Sequence, residues 1–78
     1  MPTVLRVGSL RFFFYSGDRD EPPHIHIESE GKTGKFWLRP VRYERSMGFS
    51  RKEILSLERL VAEHQETLIR SWDDYFGL

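Results

Sequence analysis

The sequence predicts an α+β fold: a small antiparallel meander of three to four strands with one long C-terminal helix packed on one face. Three observations carry this reading. Short runs of aromatic and branched residues, separated by turn residues, fill the first half of the chain. From Ile54 onward the apolar residues recur every three or four positions, the period of one helical face. And 78 residues leave room for one domain, so the two halves share a core. The expected layout is a single domain over 1–78, with strands over about 3–39, a loop over 40–49 and a helix over about 50–76.

Thr3 to Val7 is the first candidate strand, closed by Gly8-Ser9, and Leu10 to Ser16 is the second. Gly17-Asp18-Arg19-Asp20 is a loop by its turn residues. Pro22 and Pro23 cannot donate to a central ladder, so a third strand runs from about Pro23 to Ser29. Glu30 to Gly34 reads as a hairpin loop, and Lys35 to Arg39 as a fourth strand stopped by Pro40. Ser50-Arg51-Lys52-Glu53 is a capping-box pattern, with Phe49 and Ile54 placed as a hydrophobic staple. Ile54, Leu57, Val61, His64, Leu68, Trp72 and Tyr75 form the apolar stripe of the helix, and Gly77 stops it. Unbroken, such a helix would be about 37 Å long. That exceeds the width of the sheet, so its last turns should overhang, bend or meet a partner.

The chain has no cysteine, which excludes disulfides and thiolate metal sites. No apolar run approaches the roughly 18 residues of a membrane span, and no signal peptide is visible, so the expected setting is the cytoplasm. Net charge is zero but unevenly spread. Residues 1–52 hold ten Lys/Arg against six Asp/Glu, a net +4; residues 53–78 hold two against six, a net −4. A basic sheet part and an acidic helix part suggest different partners at the two ends.

The segment DEPPHIHIE, residues 20 to 28, concentrates the chain's titratable chemistry. Strand alternation places His24, His26 and Glu28 on one face and Ile25 and Ile27 on the other. Phe36 and Leu38 join the isoleucines under the helix, leaving Lys35, Trp37 and Arg39 beside the histidines. Cations interleaved with aromatic rings suit a nucleic acid, and Arg11, Lys35, Trp37 and Arg39 are the candidate contacts. For the histidines three chemistries stay open. They can act as an acid–base pair cleaving RNA at its 2′-hydroxyl, with Lys35 or Arg39 stabilising charge, and this needs no cofactor. They can hold a divalent metal, with a third ligand from Asp18, Asp20, Glu21, Glu28 or His64. Or they are plain residues of a solvated sheet face. His64, on the apolar stripe, is a secondary candidate. Trp72, Tyr75 and Phe76, near the helix end, read either as core or as a docking patch for a partner, and Trp72 and Phe76 are the candidates for partner binding.

The segments FFFYSGDRDEPPHIHIE, KFWLRPV, SMGFSRKEI and SWDDYFG together resemble a family of small bacterial proteins, domain of unknown function 4160. The likeness runs from about Val4 to Gly77. It implies His24 and His26 as motif positions, with Glu21, Pro22, Pro23, Lys35, Phe36 and Trp37. Members are typically encoded beside a second small protein in pairs regarded as toxin–antitoxin modules. The resemblance therefore implies a type II toxin, with an adjacently encoded antitoxin as its protein partner. The alternative is a non-catalytic binding or regulatory module acting through a protein partner.

Overall fold

The computed structural model describes residues 3–77. Five strands, β1 (Thr3–Val7), β2 (Leu10–Phe13), β3 (His24–Ser29), β4 (Lys32–Leu38) and β5 (Val41–Met47), form one antiparallel sheet in that order. Two helices follow, α1 (Arg51–Glu63) and α2 (Gln65–Phe76). The α+β class and the meander agree with the sequence reading; the counts of three to four strands and one helix do not.

The additional strand is β5, expected as loop. Pro40 does end β4, but the chain reverses at once: Leu38 pairs with Val41 across Arg39-Pro40. Its sequence, VRYERSM, is too charged to show an apolar face, because β5 is an edge strand largely open to water. Lys35 pairs with Arg45 while the adjacent Phe36 pairs with Tyr43, so Glu44 is one extra residue, a β-bulge. The β3–β4 hairpin is also tighter than expected. Only Glu30 and Gly31 turn, both at positive φ (51° and 80°), which a two-residue type I′ connection requires.

The helix divides at His64. Its φ and ψ of −104° and 12° are not helical. Its N–H still bonds the carbonyls of Leu60 and Val61, and its own carbonyl receives the Leu68 N–H at 2.9 Å, so hydrogen bonds bridge the junction although His64 itself leaves the helical conformation. Gln65 Nε2 donates to the Leu38 carbonyl at 2.7 Å and ties the junction to the end of β4. An unbroken helix over 51–76 would be about 39 Å long. The molecule is 34 Å in its longest dimension, so the break keeps both halves on the sheet.

The core lies between helices and sheet. Phe12, Phe14, Ile25, Ile27, Phe36 and Leu38 meet Leu57, Val61, Leu68, Trp72 and Phe76, all buried. On α2 the buried positions step by four from Leu68, so the last is Phe76 and not Tyr75, which stays exposed. Of the two readings open for Trp72 and Phe76, core or docking patch, the structure gives core: their rings pack on Phe14 and on each other at 4.4–6.1 Å.

The capping box is formed. Ser50 Oγ accepts the Glu53 N–H at 3.1 Å and Glu53 accepts the Ser50 N–H at 2.8 Å. Glu53 also pairs with Lys32 at 3.0 Å, joining α1 to β4. Gly48, just before the cap, has φ +95°, and a Cβ there would stand 2.7 Å from Lys32 Cγ. Ser50→Ala should cost about 1 kcal/mol, read as a lower urea midpoint at unchanged m-value. An unchanged midpoint would mean the cap contributes nothing to α1.

Candidate functional site

The site grows from the 3₁₀ turn Ser16–Asp20 between β2 and β3. Asp18 accepts the Tyr15 N–H through Oδ2 at 2.9 Å, a local bond that short polar side chains favour in turns. This folds the buried Asp18 back over the start of β3. Pro22 and Pro23 then deliver the chain straight into His24, the first residue of that strand.

The strand phase follows the expectation. His26 lies across from Lys35, His24 across from Trp37, and the two imidazole rings are 5.0 Å apart. On a face turned away from the helices both histidines are expected to be at least partly exposed, which holds for His26 and fails for His24. His26 is half-buried but His24 is fully buried, its ring 5.6 Å from Trp37 and 5.1 Å from Trp72 of α2. Alternation gives the side of the sheet a residue points to. It does not tell whether the end of the sheet is closed, and here the turn and two indoles close it.

Asp18 Oδ2 is the common neighbour. It accepts from His26 Nε2 at 3.0 Å. It also lies 3.2 Å from His24 Nε2, yet that contact lacks hydrogen-bond geometry and Nε2 has no partner among the described residues. The distance alone suggests an ion pair; the missing bond is the better guide, because an ill-aimed contact does not satisfy a buried nitrogen. The other nitrogen, Nδ1, donates to the Pro22 carbonyl at 2.9 Å. With the hydrogen committed to Nδ1, the neutral ring presents a bare lone pair at Nε2. Burial would raise the Asp18 carboxyl, but the Tyr15 N–H, together with the attraction of the two imidazoles when they are protonated, outweighs it and holds the carboxyl below the ordinary value. Burial holds His26 below the ordinary histidine value, against the attraction of Asp18.

Around His26 the outer face carries an open depression of about 210 Å³, lined by Phe13, Tyr15, His26, Lys35, Arg45 and Met47 among others. Phe13 stacks on His26 at 5.5 Å and Tyr15 meets it edge-on at 4.6 Å. Phe13, Tyr15 and Arg45 were not among the sequence candidates. The alternation of β2 offered Phe13 to this face, but Arg45 depended on recognising β5.

The candidate cations divide into two groups. Arg11 is held by Glu28 at 2.7 Å, and Lys35, buried beneath Trp37, by Glu21 at 2.6 Å. Lys35 holds the Glu21 carboxyl below its ordinary range. Trp37 itself donates to Glu44 at 2.9 Å. Arg39, Arg42 and Arg45 make no ion pair among the described residues. Arg39 lies in the β4–β5 turn with Trp37, Pro22 and Arg42, and does not line the His26 depression. Of the five candidate third ligands, only Asp18 groups with both histidines; Asp20, Glu21, Glu28 and His64 do not. No described helix is long and apolar enough to cross a membrane.

One family model, described as Domain of unknown function (DUF4160), matches residues 9–73. No curated protein and no solved structure matches the chain.

Proposed function

The chain belongs to the family described as Domain of unknown function (DUF4160), and from that premise we propose that it is an RNA-directed toxin of a two-gene toxin–antitoxin module. The observation that carries the RNA reading is the outer sheet face. Three arginines make no ion pair among the described residues: Arg45 of β5 lines the depression with Phe13, Tyr15 and His26, while Arg42 of β5 and Arg39 of the β4–β5 turn line a second depression with Trp37. Unpaired cations meet phosphates at least cost, and the exposed Tyr15 ring can stack on a base of any identity. Arg11 and Lys35 contribute less than their charge suggests, since each already faces a carboxylate. Any cleavage on this face runs through His26, because His24 is shut in and cannot touch a substrate. A basic surface on the adjacently encoded protein fits the acidic helices, which expose Glu63, Glu66 and Asp74.

A labelled single-stranded RNA, titrated by fluorescence anisotropy over a salt series, tests the reading. Three phosphate contacts predict a slope of log affinity on log salt of about −2. Arg42→Ala with Arg45→Ala should reduce it to about −0.7. Expression should arrest bacterial growth, and co-expression of the neighbouring gene should relieve the arrest. Absence of both RNA binding and arrest would leave a binding module that acts through its protein partner.

A further inference from the structure

We infer that Asp18, His24 and His26 form a binding site for one divalent transition-metal ion of the zinc class. Each offers one ligand atom, and none of the three atoms lies more than 4.8 Å from another. A tetrahedral ion with bonds of 2.0–2.1 Å sets its ligand atoms about 3.3 Å apart. The measured separations from Asp18 Oδ2 are 3.2 Å to His24 Nε2 and 3.0 Å to His26 Nε2.

The independent observation is His24. Its ring is fully buried, and its Nε2 has no hydrogen-bond partner among the described residues. A buried polar atom without a partner costs stability, so its persistence calls for an occupant. That occupant must accept an electron pair, because the two atoms facing one another are a lone-pair nitrogen and a carboxylate oxygen. A cation bridging them satisfies both.

The surroundings of His24 match those of a metal-bound histidine. Its Nδ1–H is held by a backbone carbonyl, Pro22 O at 2.9 Å, which fixes the ring and aims Nε2 into the cluster. The prolines at 22 and 23 stiffen that carbonyl's position. Asp18 is oriented in turn by the Tyr15 N–H. On binding, His26 exchanges its Nε2–H bond to Asp18 for coordination and carries its hydrogen on Nδ1. Two imidazoles and one carboxylate, with no sulfur, select zinc, iron(II), cobalt or manganese over copper(I), and magnesium would be held poorly. Three protein ligands leave at least one position for water or a ligand. His26 belongs both to this cluster and to the wall of the outer depression. The metal assignment does not depend on the RNA reading.

The chain contains its own reporter. Both of its tryptophans flank His24, with centroids 5.6 Å and 5.1 Å from the imidazole. Chelator-treated full-length protein, titrated with Co²⁺, should lose tryptophan fluorescence up to one equivalent and develop visible bands. Zn²⁺ should displace the cobalt and raise the melting temperature; Mg²⁺ at the same concentration should do neither. His26→Gln and Asp18→Asn should each weaken zinc binding at least tenfold, while His64→Gln leaves it unchanged. His24→Ala is avoided as sole evidence because it hollows the end of the sheet. Near-UV circular dichroism checks that each variant is folded. Quenching without saturation at one equivalent, or equal zinc affinity in the folded His26→Gln and Asp18→Asn proteins, overturns the assignment. Zinc binding without RNA binding would uphold the metal site and defeat only the function proposed above.

Discussion

Trp72→Ala should bring the protein to the margin of stability at 25 °C, with little or none of its folding free energy left. Trp72 is almost fully buried and joins three parts of the molecule: Phe14 at 5.3 Å, Phe76 at 4.4 Å and His24 at 5.1 Å. Truncating a buried tryptophan to alanine costs about 3–5 kcal/mol, through lost transfer energy and the cavity left behind. A domain of this size has roughly 5 kcal/mol of stability to lose. The effect therefore decides whether the chain folds. Urea denaturation followed by far-ultraviolet circular dichroism reads it, with Trp72→Phe as the control that keeps an aromatic ring and loses far less. Were Trp72 a docking residue, Trp72→Ala would stay folded and lose only its partner. A loss below about 1 kcal/mol would thus favour docking over the core role.

This outcome also marks where sequence reading ends. Features with local causes were legible. The Ser50–Glu53 box needs only four residues, the Gly77 stop needs one, and the phase of β3 follows from alternation. Features decided by distant parts were not. The stripe on α2 says that Trp72 is apolar, and only the closed end of the sheet says what it packs against. Likewise His24 looked exposed because its strand phase points outward, while the residues that cover it come from positions 18, 37 and 72. The strand β5 was hidden by its own charges, as an edge strand's often is. Asp18 stood among five candidate partners for the histidines, and the 3₁₀ turn selects it by bringing its carboxylate within 3.0 Å of His26. The break at His64 left no mark in the stripe, since a half-buried histidine at a helix junction has the same spacing as a core position.

Phe13→Ala should destabilise the protein by about 3 kcal/mol and loosen the outer face. The prediction is unexpected for the open side of a half-covered sheet. Yet Phe13 is only 2% exposed, with the Arg11 guanidinium 4.1 Å above its ring, His26 stacked at 5.5 Å and Tyr15 edge-on at 5.2 Å. These side chains make a second, smaller apolar cluster that holds His26 in place. Its removal should act on proton affinity as well as stability. Burial is the main reason His26 titrates below the ordinary value near 6.5. In the metal-free variant the imidazole pKa should therefore rise toward that value, measured by histidine proton resonances against pH. The sign for stability follows. Where the folded pKa is depressed, the unfolded chain binds more protons in the window between the two values. Stability then falls as pH drops through that window and is fully present above 6.5. The alanine variant narrows the window, so between neutral and mildly acidic pH its stability should depend less on pH than that of the parent. Asp18 contributes in a separate, lower range, where protonating its carboxyl removes stability in both proteins. An unchanged His26 titration in the folded variant would mean that Phe13 does not bury the imidazole, and that the closed end around His24 and Asp18 sets its proton affinity alone.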